Sequence, residues 1–430
     1  MSERVTSRRY ESPHRPAPIV AVERWLRRVR GEPAPFDARE LVKTAMAKAG
    51  SSSFEEEDAL MEPLERLCEA LDREARLTWT GRVLTRARLM GALTSRLRLR
   101  ALFDANPAMA DVVVDRPVVI TGLQRTGTTL LHRLVSATPG FRGLRAWEAL
   151  DPVAAVRPFG LEPRRLTAKA AEGTLRYLAP DFFAVHPVEA DAPEEEVVLM
   201  DHTFVSQVSE ASYHVPTFAG WVEDQDHRVA YRYLRRCLQA LTWQRPELPA
   251  RWVLKSPVHL EQLDALLDVF PDALVVQTHR DPQETIPSFC SMVAHGRGVF
   301  SDAVDPREVG GHWLRKVTRM VRRAMETRRA RGGQHFADVH YGDLIADPVA
   351  TAAEVTARAG TPLDDASRAS LRTWLADNRQ HKYGRHDYDA ADFGLTPERI
   401  DHAMSAYVSH HLEPRASSGT GATPGARGAC

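Results

Sequence analysis

The chain is short of several things, and each shortage excludes a class of function. Its 430 residues carry 57 Lys+Arg against 57 Asp+Glu, so there is no net charge to draw it onto nucleic acid. The four cysteines, Cys68, Cys237, Cys290 and Cys430, form no CxxC pair. Neither a disulfide framework nor a zinc site follows from them, and a reducing, cytoplasmic setting is expected. No apolar run reaches the ~18 residues needed to cross a bilayer. Met1 to Pro18 is rich in Arg, Ser and Pro and lacks the apolar stretch of a secretory signal. Residues 1–17 and the Gly/Ala/Ser/Thr/Pro tail 413–430 are expected to be disordered, because they bring too little apolar surface to order themselves. Nothing in the composition sets an oligomeric state.

What is present falls into two zones. Residues 18–111 read as a helical cap, with Leu60, Leu64, Leu67 and Leu71 on one helix face behind a capping-box pair, Ser53 and Glu56. Pro63 blurs the start of that helix. Leu84, Leu89, Leu93 and Leu97 mark a second helix over 82–103. Residues 112–412 alternate short apolar strands with amphipathic helices, which predicts an α/β domain whose mainly parallel sheet is flanked by helices.

The most informative segment is Pro117 to Val135, PVVITGLQRTGTTLLHRLV. Val118 to Thr121 predicts a buried strand. Gly122, Leu123, Gln124, Arg125, Thr126 and Gly127 predict a turn lined by backbone amides, and Leu130, Leu131, Leu134 and Val135 predict a helix. Strand, glycine-bounded loop and helix start together bind phosphate, because unpaired N–H groups and the helix dipole converge on the anion. Against the nucleoside-triphosphate loop GxxxxGK[ST], Gly122, Gly127 and Thr129 fit, but Thr128 stands in place of the lysine that reaches the β/γ-phosphates. Arg125 supplies the positive charge instead, so the expected donor has a shorter anionic chain at its 5′ end. RTGTTLL resembles the 5′-phosphosulfate loop of the sulfotransferases, in the version carried by tyrosylprotein sulfotransferases and their bacterial relatives. The resemblance implies a P-loop-type fold and transfer of a sulfuryl group from 3′-phosphoadenosine 5′-phosphosulfate (PAPS) to an acceptor hydroxyl.

A second segment stands at a consistent distance. Trp252 to Leu254 predicts a strand ending at Lys255-Ser256-Pro257. Ala273 to Gln277 predicts the next, ending at Thr278-His279-Arg280-Asp281-Pro282, where Asp281 and Glu284 can cap a helix. Open α/β sheets bind ligands at such carboxyl ends. The resemblance implies that Arg280 and Ser288, eight residues apart, hold the 3′-phosphate of PAPS, although Pro287 is expected to distort the helix that presents Ser288. It also implies that Tyr341, in Tyr341-Gly342-Asp343-Leu344, lies near the adenine, and that Lys382, in the basic run His381 to Arg385, returns to the nucleotide. Leu130 follows Thr129 where cytosolic members have an adenine-stacking aromatic. The nucleotide-holding set is thus Gly122, Gln124, Arg125, Thr126, Gly127, Thr128, Thr129, Arg280, Ser288, Tyr341 and Lys382.

Sulfuryl transfer needs in-line positioning, charge stabilisation and a base for the hydroxyl. The migrating group carries less charge than a phosphoryl group, the sequence has no acidic metal cluster, and no metal is expected. Arg125 and Lys255 are the expected stabilisers. The resemblance implies Glu148 as the first candidate base, since tyrosylprotein sulfotransferases use a glutamate at nearly that position after the loop arginine, and His259 as the second, since cytosolic members use a histidine just after their lysine. In the acidic run Asp191 to Glu196, Asp191 and Glu194 have capping-box spacing, which predicts a helix start there; a part in positioning the acceptor is the alternative. Phe204, Tyr213, His214, Phe218 and Trp221 suit either an apolar acceptor pocket or the core, and the acceptor is expected to be a small-molecule or lipid-like alcohol. Two rival readings remain at this point: a P-loop kinase or nucleotidase, and a non-catalytic nucleotide-binding protein on the same fold.

Overall fold

A computed structural model of the chain describes residues 5–413, save 52–56, 155–161, 250 and 379–385. Five strands form the sheet: β1 (Val118–Gly122), β2 (Phe141–Gly143), β3 (Arg251–Lys255), β4 (Leu274–His279) and β5 (Phe336–His340). Their order is β2-β3-β1-β4-β5, and every pairing is parallel. The strands are short, and the three central ones, β1, β3 and β4, are buried on both faces as a helix-covered parallel sheet requires. Val119, Leu254 and Val275 enter one core, while Val118, Ile120, Val253 and Val276 enter another on the opposite face. Register fixes the working end: Ile120 pairs with Lys255, Gly122 with Thr278, and His279 with His340. The segments leaving β1, β3, β4 and β5 therefore emerge side by side.

The N-terminal part is helical, in four helices: α1 (Ala17–Arg30), α2 (Ala38–Ala49), α3 (Glu57–Arg73) and α4 (Trp79–Ala105). Leu60, Leu64, Leu67 and Leu71 are buried, and α3 runs through Pro63. Its expected caps, Ser53 and Glu56, lie outside the described residues. Thr78 caps α4, accepting from the Gly81 amide at 2.9 Å, so the helix starts three residues before the leucine periodicity shows it.

Two expectations are corrected here. Residues 5–16 are packed against the domain: Thr6 and Tyr10 are buried, and the Tyr10 hydroxyl lies 2.9 Å from Ser291 Oγ. Arg8 pairs with Asp392 at 2.9 Å. Thr6 also exchanges hydrogen bonds with Asp387, and Arg15 pairs with Asp302, so several long-range contacts hold a segment whose composition alone suggests disorder. Nor does the core divide at residue 111. Leu41, Leu64, Leu71, Leu89 and Leu93 of the cap form one cluster with Phe204, Tyr213 and Phe218 from the α/β part. That placement assigns Phe204 and Phe218 to the core rather than to a pocket wall, while Tyr213, in the same cluster, also borders a small cavity with His214 and Phe300. The tail 414–430 lies outside the described residues.

Candidate active site

The loop after β1 is shaped by two glycines that no other residue can replace. Gly122 has φ +154°, and a Cβ there would lie 2.2 Å from Thr278 Oγ1. Gly127 has φ +87°, and a Cβ would lie 2.7 Å from Leu344 Cδ2 and 3.2 Å from the Tyr341 ring. Thr126 ties the loop to β4: its hydroxyl lies 2.5 Å from Thr278 Oγ1 and donates to the Leu123 carbonyl at 2.6 Å. Its side chain is therefore a brace, and what it can offer a ligand is its amide. Helix α5 (Thr128–Ser136) follows with Gly127 as N-cap and no side chain capping it. Its first-turn N–H groups, with buried Thr128 and exposed Thr129 beside them, are left for an anion.

Arg125 stands in the left-handed region, φ +71°, a strained conformation for a side-chain-bearing residue. Its guanidinium donates to the Val185 carbonyl at 3.3 Å. Burial pulls the group below the ordinary arginine value. Among the described residues no carboxylate pairs with it. A partly buried cation compensated by one carbonyl calls for an anionic ligand. Beside it, Gln124 Oε1 is buried with no hydrogen-bond partner. An uncapped helix start and an uncompensated guanidinium fit a phosphosulfate group.

The second anion cradle touches the first. Arg280, leaving β4, donates from Nη1 to the Arg125 carbonyl at 3.0 Å and lies over the Tyr341 ring at 4.0 Å from its centroid. Its Nε and Nη2 go to Glu284, which orients the fork. Asp281 caps the next helix, Pro282–Gly298, by accepting from the Gln283 amide at 2.8 Å, and that helix runs through Pro287. Ser288 is buried on it, its Oγ 3.4 Å from His386 Nδ1. Burial, then the Arg125 charge, hold His386 down at about 3, so it is a neutral ring. Arg125, Arg280 and Tyr341 are thus brought together, with Ser288 on the helix beyond. Lys382 lies outside the described residues.

Neither expected base reaches this centre. Glu148, in helix α6 (Ala146–Leu150), is 1% exposed, and both its oxygens are taken: Oε1 accepts from Arg142 Nη2 at 2.8 Å and Oε2 from the Arg145 amide at 3.0 Å. Arg142 in turn lies over Trp252. The carboxylate closes a capping box and neutralises a buried guanidinium. Glu148→Ala should therefore lower stability by about 3–5 kcal/mol, because it strands a buried charge. A denaturation midpoint well below wild type, with transfer per folded molecule retained, is the expected result. His259 is fully buried, its Nδ1 2.8 Å from the Tyr231 hydroxyl and its Nε2 against Glu196. Glu196 Oε2 also accepts from the Lys255 amide at 2.8 Å, so this relay fixes the end of β3.

The carboxylate at the centre is Glu195. Lys255 Nζ lies 2.5 Å from its Oε1, and Ser256 Oγ donates to Oε2 at 3.2 Å. Burial raises its carboxyl, but the Lys255 charge, with hydrogen bonds from Lys255 and Ser256, outweighs that and the net shift is downward, so Glu195 is ionised. No helix starts at Asp191, contrary to expectation. Asp191 bridges Arg165 at 2.6 Å, and the next helix opens at Val197. The acids were legible as a run. Their partner, Lys255, lies 60 residues away in sequence and was not. A trio of glutamates abutting the apolar Val197-Val198-Leu199-Met200 is the one local sign that they face inward.

His186 completes the centre. It follows helix α8 (Pro180–Val185), next to the carbonyl that Arg125 binds. Burial lowers its pKa; Glu194 and Glu195 oppose this, while Lys255 and Arg125 reinforce it. From His186 and Glu194 a cavity of about 580 Å³ runs between α4, α6 and helix α7 (Pro163–Leu178). Leu84, Ala149, Leu175, Leu178 and Phe300 are among its walls, which are overwhelmingly apolar.

Three ligand-type side chains also meet elsewhere: His279, Asp338 and His411 have ligating atoms within 4.8 Å of one another. The His279 nitrogens already face Tyr407 and Asp338, and Arg328 binds both Asp338 oxygens at 2.8 Å. A cation there would displace a guanidinium.

Residues 117–365 match the model of a family described as the Sulfotransferase family. The crystal structure of sulfotransferase STF1 from Mycobacterium tuberculosis H37Rv is similar with a TM-score of 0.75 and 34% identity, covering 86% of this chain and 99% of that one. STF9 from Mycobacterium avium gives a TM-score of 0.78 at 26% identity, over 88% and 98% of the two chains. A curated relative, the omega-hydroxy-beta-dihydromenaquinone-9 sulfotransferase Stf3 of Mycobacterium bovis, is 23% identical over 318 residues, 70% of this chain and 78% of its own. The match over residues 117–365 and the 34% identity to STF1 show that the chain belongs to the sulfotransferase family, enzymes that take their sulfuryl group from PAPS.

Proposed function

We propose that the enzyme sulfates the hydroxyl of an apolar, lipid-like alcohol, with Glu195 as the base. The cavity carries this reading: an apolar chamber of about 580 Å³ that reaches His186 and Glu194, beside the Glu195–Lys255 pair. The volume lies in the range that encloses most of a drug-sized ligand. Stf3, by its name, acts on a hydroxylated menaquinone, which is the same chemical class.

On this reading the amides of the α5 start, Gln124 and Arg125 hold the 5′-phosphosulfate, while Arg280 and Ser288 hold the 3′-phosphate against Tyr341. The acceptor oxygen attacks sulfur as the bond from sulfur to the 5′-phosphate oxygen breaks, and adenosine 3′,5′-bisphosphate leaves. Glu195 takes the hydroxyl proton. Arg125 and Lys255 face the oxygens on which charge grows, and neutral His186 orients the hydroxyl at the cavity's inner end. A base that is ionised and aligned before the acceptor arrives needs no metal-bound hydroxide.

The test is two titrations and a turnover series. Adenosine 3′,5′-bisphosphate is expected to bind in EDTA and Mg·ATP to bind poorly. With labelled PAPS, turnover of primary alcohols is expected to rise with chain length until the cavity is filled. Preference for Mg·ATP would reject the donor assignment. Equal turnover of sugars and long alcohols would reject the acceptor class.

A further inference from the structure

Helix α1, APIVAVERWLRRVR, packs Ile19, Val20 and Leu26 half-buried toward the domain and carries a second apolar stripe on its outward side, which a cap that only packs on its own domain does not need. Val22, Trp25 and Val29 are 51%, 59% and 58% exposed and fall at i, i+3 and i+7, one stripe along the outward face. Glu23, on another face, is buried and is the helix's one acid; its Oε1 accepts from the Thr80 amide at 2.9 Å, which fixes which side faces the protein. Arg24 and Arg28 share the outward half with the stripe, and Arg27 and Arg30 are exposed as well. Among the described residues none of these four arginines is paired with a carboxylate.

We infer that α1 is a reversible docking element for an anionic lipid surface. The aromatic and the two valines suit the boundary between headgroups and acyl chains, and the arginines suit the negative charge above it. Charge complementarity selects this occupant: a stripe flanked by four unpaired cations repels its own copy, whereas a phospholipid headgroup layer neutralises them. Position agrees. α1 is pinned to the first turn of α4, one turn before Leu84 enters the cavity wall. Just ahead of α1, Arg15 Nη2 donates to the Ser301 carbonyl at 3.3 Å, next to cavity-lining Phe300. Val83, 61% exposed, extends the apolar surface along α4. A bilayer meeting α1 therefore lies against the Leu84–Phe300 end of the cavity. The inference goes beyond the proposed acceptor, since it concerns where the enzyme sits rather than what it sulfates.

The test is co-sedimentation of the full chain with vesicles of phosphatidylcholine alone and of phosphatidylcholine with about 30% phosphatidylglycerol. Wild type is expected to bind the anionic vesicles at least ~10-fold more tightly, with an advantage that falls as salt rises. Trp25→Ser is expected to weaken that binding ~10-fold, and Arg24→Gln with Arg28→Gln to cut the anionic preference about fivefold per arginine. All three side chains are exposed, so the variants should keep the wild-type denaturation midpoint. Equal binding to both vesicle types, or Trp25→Ser binding like wild type, would overturn the inference. So would a wild-type dimer that Trp25→Ser dissociates, because the stripe would then be an interface between copies. No donor or acceptor enters this assay, so failure of the sulfation reading would leave its result untouched.

Discussion

Arg125→Ala is expected to abolish sulfuryl transfer, by ~10³-fold or more, and to weaken binding of adenosine 3′,5′-bisphosphate. Two effects combine in that loss. The guanidinium is the one side-chain cation within the β1–α5 loop, and it is held there by a strained backbone and one carbonyl, with no acid to compensate it. The backbone carbonyl of the same residue accepts from Arg280, and losing the guanidinium's tie to the Val185 carbonyl frees the strained turn that presents it. Arg125→Lys separates the two. A lysine keeps the charge and loses the planar fork that reaches phosphate oxygens in pairs. It should recover part of the bisphosphate affinity and little of the rate. Isothermal titration with the bisphosphate and turnover with labelled PAPS measure the two quantities. Full turnover in Arg125→Ala would remove the loop from the mechanism.

That half of the site was legible because it is local. Pro117 to Val135 contains strand, turn, glycines, cation and helix start within nineteen consecutive residues, and Thr128 in place of lysine argued against the triphosphate reading. Arg280, Asp281 and Pro282 were legible for the same reason: a strand end and a helix cap are short-range features. The centre was not, because it is assembled by tertiary contacts. Glu195 and Glu196 are adjacent, yet one faces Lys255 Nζ and the other His259, a split set by β3 and not by their neighbours in sequence. Glu148 misled because a glutamate three residues into a helix is equally good as a base or as the closing member of a capping box; Arg142 behind it decided for the second. The acceptor cavity draws walls from segments as far apart as Leu84 and Phe300, and no single window of sequence contains it. Tyr10 meets Ser291 across 281 residues, which is why an N-terminal segment of disordered composition is packed.

Glu195→Gln is expected to lower turnover by ~100-fold or more while leaving bisphosphate affinity near wild type. The substitution keeps an acceptor oxygen for Lys255, and the Ser256 hydroxyl can turn to accept from the new amide nitrogen, so the geometry is largely preserved, but an amide cannot accept the hydroxyl proton. Its pH dependence is the sharper test. The Lys255 charge, with hydrogen bonds from Lys255 and Ser256, holds the Glu195 carboxyl below its ordinary value despite its burial, so the active, ionised form persists as pH falls and is lost only below the usual carboxylate range. His186 is also shifted down, burial being the main cause. The acid limb of kcat in wild type should then lie below the ordinary glutamate value of about 4.3, with no inflection near 6.5. Removing Lys255's charge, as in Lys255→Met, unmasks the effect of burial and should move that limb upward. A limb that stays put in Lys255→Met, or full turnover in Glu195→Gln, would mean that the proton leaves by another route. His186, the remaining titratable side chain at the cavity's inner end beside Glu194, would then be the group to test, by His186→Asn.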